Sequence, residues 1–130
     1  MRRWLSILLA FLLAVPAWAT TETFTTPGGN SWQAPEGVTI VDVECWGAGA
    51  GGGGNSTDAD GGGGAGGGAY ARNSSVDVTP LSNYTVTVGA KGVGQVGTDG
   101  TNGGNSTFVG DAAETVLACG GTSCKAPVAG

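Results

Sequence analysis

The sequence predicts a small all-β domain in which the glycine-rich stretches are folded. Three observations carry this. From Gly47 to Gly68, 13 of 22 residues are glycine, yet the run is bracketed by Trp46 and Tyr70. On either side, Val38 to Trp46 and Tyr84 to Val88 alternate apolar and polar residues with the period of two that a half-buried strand requires. Beyond residue 19, no stretch carries helical periodicity.

The glycine run sets a physical problem. Glycine loses more backbone freedom on ordering than any other residue and buries no side chain, so such runs normally stay disordered. Something must stand in for the missing hydrophobic effect. Without Cβ atoms, extended segments of polyproline-II type, with three residues per turn, can approach closely enough for N–H and C=O groups of neighbouring segments to bond. The expected lattice is assigned to the structural glycines Gly51, Gly52 and Gly53 and Gly63, Gly64, Gly66 and Gly67. A valine at Gly63 or Gly67 is expected to wedge packed backbones apart.

The elements follow in order. Residues 1–19 read as a cleavable signal peptide: Arg2 and Arg3 precede an apolar run from Leu5 to Val15, and Ala17-Trp18-Ala19 offers a cleavage site. The domain then occupies residues 20–130. Pro27-Gly28-Gly29-Asn30 is expected to turn between two short strands anchored by Phe24 and Trp32, and Ala34-Pro35-Glu36-Gly37 to make a second turn. Val38 to Trp46 is the strongest strand, with Val41, Val43 and Cys45 on one face and Asp42 and Glu44 on the other. After the glycine run, Ala69 to Val78 and Tyr84 to Val88 flank a turn at Thr79 to Asn83 and read as a hairpin. Gly89 to Gly104 repeats glycine at near three-residue spacing, a second segment able to pack beside the first. Ser106 to Val109 and Thr115 to Ala118 are the last strands.

Charge and cysteine content narrow the function. Without Arg2 and Arg3 the chain keeps three basic residues, Arg72, Lys91 and Lys125, against ten acidic ones, a net charge of −7. Such a surface repels phosphate, so nucleic acid and anionic membrane are not expected partners. After export, Cys119 and Cys124 are close enough in sequence to close a disulfide loop, leaving Cys45 over. A structural zinc site would be one ligand short, because the chain has three cysteines and no histidine.

Catalytic and cofactor motifs do not hold up in context. Gly47-Ala48-Gly49-Ala50-Gly51-Gly52 matches G-x-G-x-x-G after a strand, but the glycines that follow cannot open the helix on which pyrophosphate would sit. Asn55 to Gly61 resembles part of a calcium loop without its closing acid. With no histidine and no evidently activated nucleophile, the chain reads as non-catalytic, and no cofactor or metal is expected. Trp32, Trp46, Tyr70 and Tyr84 could stack on sugars if exposed, but are expected to pack the small core instead.

The order of parts resembles the glycine-rich domain found at bacteriophage tail-fibre tips and in secreted or surface bacterial proteins. The resemblance lies in Trp32 to Thr39, in Trp46 to Gly54, in Gly61 to Ala71, in Tyr84 to Ala90 and in Gly103 to Phe108. It implies a β-sandwich-like framework carrying packed polyglycine-II segments, whose connecting loops form a receptor-binding tip. The signal peptide departs from the virion members, and the chain stops at Gly130 where members often continue, so a shortened domain or the start of a linker is expected there.

Two functional readings follow. In the first, a secreted or cell-surface, adhesin-like binding module recognises a surface protein or glycan through Asn55, Ser56, Thr57, Asp58 and Asp60 in one loop and Gln95, Thr98, Asp99 and Asn102 in another. In the second, the chain is a structural subunit or stalk of an extracellular fibre or matrix, a homo-oligomer built by pairing glycine segments or sheet edges.

Overall fold

The computed structural model describes residues 20–54 and 62–122. The described residues form eight strands and no helix: β1 (Gly28–Gln33), β2 (Ile40–Trp46), β3 (Gly53–Gly54), β4 (Tyr70–Asp77), β5 (Asn83–Val88), β6 (Gln95–Val96), β7 (Ser106–Val109) and β8 (Thr115–Ala118). A four-stranded antiparallel sheet runs β1-β5-β7-β8, and β2 pairs with β4 in a second antiparallel sheet. The two sheets bury one core between them, in which Ala34, Cys45, Val76, Val78, Phe108, Val116 and Ala118 are buried.

The period of two places each face. Val41, Val43 and Cys45 of β2 point inward as expected, and Asp42 and Glu44 are exposed. On β4, Ala71 and Asn73 are inward, yet so is Val76, which simple alternation would turn outward. A bulge between Val41 and Val43 resolves this, because Ser74 and Ser75 are consecutive exposed residues opposite Asp42. The Asn73 side-chain carbonyl accepts the Ser75 N–H at 3.0 Å and holds the bulge. In the larger sheet Trp32, Tyr84 and Phe108 form an aromatic row across β1, β5 and β7, with ring centroids 5.7 to 6.0 Å apart. Cys45 is packed as a small apolar group whose thiol donates to Val116 O at 3.7 Å, and burial pushes its pKa up.

Among the described residues, one expected turn and one expected hairpin do not form. Gly28 and Gly29 are not a turn but the first residues of β1, which pairs with β5; Gly28 takes φ 109°. Likewise β4 and β5 flank a tight turn, closed by Ser82 N–H to Thr79 O at 3.1 Å, but enter different sheets. The reason lies in what the turn is bonded to. Ala34 accepts the Leu81 N–H at 2.8 Å and donates to Ser82 O at 2.9 Å, so the turn is fastened to the end of β1 and steers β5 there. The turn's other anchor is Asp111, whose carboxylate accepts from Thr79 Oγ1 at 2.7 Å and from the Tyr84 hydroxyl at 2.5 Å. These two bonds hold the Asp111 carboxyl below its ordinary value.

The sandwich continues directly into a glycine lattice. Strand β2 runs into residues 47–54, residues 62–69 run into β4, β5 into 89–97, 100–105 into β7, and β8 into 119–122. Residues 47–54 are central and bond to all four of the other segments. The N–H groups of Gly47 and Ala50 donate to Ala69 O and Gly66 O, those of Ala48 and Gly51 to Gly104 O and Thr101 O, while the carbonyls of Gly49 and Gly52 accept from Gly92 and Gln95. Each of these three neighbours is met every third residue. That is the three-residue turn of a polyproline-II-type backbone, and the lattice is of polyglycine-II type. The outer segments also bond to one another: Gly66 N–H to Thr122 O, Gly103 N–H to Gly121 O, and Thr101 N–H to Val93 O.

Glycine is needed here for space. A Cβ at Gly51 would overlap the backbone of Val93, one at Gly68 the carbonyl of Gly47, and one at Gly103 the carbonyl of Ala48. At Gly52 it would stand 2.7 Å from Gly63 O. Gly64 and Gly67 depart from expectation, since a Cβ there meets nothing within 4 Å. They face outward, and the wedging expected at Gly67 belongs instead to Gly51, Gly68 and Gly103.

Gly51→Val and Gly103→Val should therefore each destabilise the protein by about 3 kcal/mol or more, as overpacking against backbone does. Gly64→Ala and Gly67→Ala should change stability by less than about 1 kcal/mol. Chemical denaturation measures both, and native-state hydrogen exchange should show protected amides at Gly47, Ala48, Ala50 and Gly51.

Candidate functional site

The described residues that flank the two expected binding loops meet at one end of the lattice. Gly53–Gly54 pairs in parallel with Gln95–Val96, Gly97 N–H donates to Gly54 O at 2.7 Å, and Gly53 bridges Gly63. The chain thus leaves Gly54 for residues 55–61, and returns from them, beside the turn at 97–100. Asn55, Ser56, Thr57, Asp58 and Asp60 lie outside the described residues. Of the second loop, Gln95, Thr98, Asp99 and Asn102 are all exposed. Thr98 Oγ1 donates to Gln95 Oε1 at 3.0 Å, while Gly97 accommodates the bend with φ 78°. Val93 N–H donates to Thr101 Oγ1 at 2.7 Å, and Gly100 is buried against Gly51, so the loop is anchored on both flanks. Val96 at the same end is 82% exposed.

A second assembly stands at the other end of residues 47–54. Trp32 and Tyr84 join the core as expected, but Trp46 and Tyr70 do not. They face each other across β2 and β4 on the outer face, 63% and 53% exposed, with ring centroids 5.3 Å apart and planes at 47°. The physical reason is parity, since Trp46 shares the face of Asp42 and Glu44. Next in register, Glu44 opposes Arg72. The Arg72 guanidinium grips Asp42 through Nε at 3.1 Å and Nη2 at 2.6 Å, and its Nε lies 3.5 Å from Glu44. This bidentate grip holds the Asp42 carboxyl below its ordinary value and raises that of Arg72. Desolvation, and then the charge of Glu44, push the Tyr70 phenol up, so it stays a neutral hydroxyl.

A family model for the glycine-rich domain matches residues 24–130. The chain belongs to the glycine-rich domain family. No curated protein and no solved structure matches it. In this glycine-rich domain Cys119 is exposed, and its expected disulfide partner Cys124 lies outside the described residues, as do residues 1–19. Among the described residues no helix is long and apolar enough to cross a membrane.

The Asp42 grip yields a pH prediction. A carboxyl whose folded pKa is depressed adds stability above its unfolded value, and that contribution is lost as pH falls through the folded one. In the glycine-rich domain Asp42 should titrate below 3.8, and Arg72→Ala should move it up toward that value. Side-chain carboxyl NMR titration reads both.

Proposed function

We propose that this glycine-rich domain is an exported, non-catalytic binding module of adhesin type, which presents residues 55–60 and 94–102 to a protein or glycan on a cell surface. The observation that supports it most is the shared anchoring of the two loops. Gly54 is bonded to Gly97 at 2.7 Å, and its neighbour Gly53 bridges Gly63, so the stems of both loops belong to one lattice. Loops on a rigid scaffold are pre-organised, which lowers the ordering cost of recognition. The leader-like residues 1–19 and the charge of −7 fit an exported chain that avoids phosphate-rich partners. The absence of histidine favours binding over catalysis.

Replacing residues 55–60 by a short Gly-Ser loop should abolish binding of labelled protein to a panel of fixed bacterial cells while the amides of residues 47–51 stay protected. Retained cell binding would overturn this assignment. Concentration-dependent assembly by light scattering, with cell binding lost in neither form, would favour the fibre subunit instead.

A further inference from the structure

The Trp46–Tyr70 face is an unusual surface for so small a domain. The core is short of large side chains, yet two of the largest in the chain are more than half exposed and touch each other. Neither is needed to cover the core, because the row Trp32, Tyr84 and Phe108 fills that role on the opposite sheet. The pair is also held in place. It sits where two paired strands pass into the lattice, with Gly47 N–H bonded to Ala69 O at 2.8 Å at the next position along the chain.

The surroundings select a ligand chemistry. Beside the rings, Asp42, Glu44 and Arg72 offer two carboxylates and one guanidinium, a face that carries net negative charge. Carboxylates on an exposed face accept hydrogen bonds from hydroxyl groups, and Arg donates to ring and hydroxyl oxygens. A cleft of about 560 Å³ runs along β2 to Trp46, and its lining includes Glu44, Thr21, Thr23 and Thr87 together with the apolar Phe24 and Val86; Tyr70 and Arg72 stand outside it. Flat aromatic surface beside a groove of mixed apolar and polar lining suits a chain of pyranose rings, whose apolar C–H faces stack while their equatorial hydroxyls bond at the edges. A sulfated or uronic glycan would meet the repulsion of Glu44 and of Glu22 in the same cleft.

We infer that Trp46 and Tyr70, with Glu44 and Arg72, form a binding site for a neutral oligosaccharide, separate from the loop end of the lattice. The site goes beyond the loop-mediated recognition proposed above and does not depend on it. The two rings supply stacking, and the charged pair orients the sugar hydroxyls.

The test is isothermal titration of the secreted protein with cellohexaose, laminarihexaose, xylohexaose and mannohexaose, and with a heparin hexasaccharide as the anionic control. Binding of at least one neutral hexasaccharide is expected, weakened about ten-fold or more by Trp46→Ala and by Tyr70→Ala. Trp46→Phe, which keeps a flat ring, should restore part of the affinity. The variant with residues 55–60 replaced should bind sugar as the unaltered protein does, which separates this site from the loop end. Because Trp46 is exposed, the alanine variants should keep the hydrogen-exchange protection of the lattice. Three outcomes would overturn the inference: no neutral hexasaccharide bound, heparin fragments bound in preference, or equal affinity in Trp46→Ala. Sedimentation that shows a dimer lost in Trp46→Ala, without sugar binding, would assign the face to a second copy of the chain and also overturn it.

Discussion

The structure depends on a void: the missing Cβ at the glycines that face a neighbouring segment. Where Gly51, Gly68 or Gly103 stands, any side chain would occupy the place of another segment's backbone. Close approach lets residues 47–54 bond to four neighbours, three of them at a three-residue period, and that bonding does what hydrophobic burial does elsewhere. A core of Ala34, Cys45, Val76, Val78, Phe108, Val116 and Ala118 is small for a domain that orders this much chain. The lattice and the sandwich support each other because they share strands. Each of the five segments is the continuation of a sandwich strand, so the register set by β2 with β4, or by β7 with β8, is handed on to glycines that have no side chains to set one themselves.

This continuity explains what could be read from the sequence and what could not. The faces of β2 were legible because Val41, Val43 and Cys45 alternate with Asp42 and Glu44, and the spacing of Gly89, Gly92 and Gly94 pointed to packing beside the first run. Which strands pair was not legible. Thr79-Pro80-Leu81-Ser82 has the chemistry of a hairpin turn, but its fate is decided by bonds to Ala34 and Asp111, far away in sequence. Composition also cannot tell Gly67 from Gly68. One faces outward and the other lies against Gly47, and only the phase of the three-residue turn separates them.

The exposed aromatic pair is a case where the signal was present in the pattern. The alternation that turns Asp42 and Glu44 outward turns Trp46 outward as well, and strand pairing carries Tyr70 with it. Hydrophobicity alone argues for burial of both rings. In a strand that is one half of a two-sided sheet, parity outranks hydrophobicity, because moving Trp46 inward would move Cys45, Val43 and Val41 outward together. An aromatic residue that lies on the polar face by parity is therefore informative in a way that Trp32, inward and packed on Tyr84 and Phe108, is not.

The two surfaces are separated by the length of one polyglycine segment, from Gly47 beside Trp46 to Gly54 beside Gly97. That segment is bonded to neighbours along its whole course, so neither surface can shift without breaking lattice bonds. The constraint is uneven in sequence space. Gly51, Gly68, Gly92, Gly100 and Gly103 have no room for a side chain, whereas Thr98, exposed at the end of the lattice, is under no such constraint. Loop length and composition can change at small cost to the fold, while the spacing between the loop end and the aromatic face stays set by backbone geometry. A scaffold held together by backbone hydrogen bonds thus leaves its side chains, at Gln95 and Thr98 as at Trp46 and Tyr70, available for recognition.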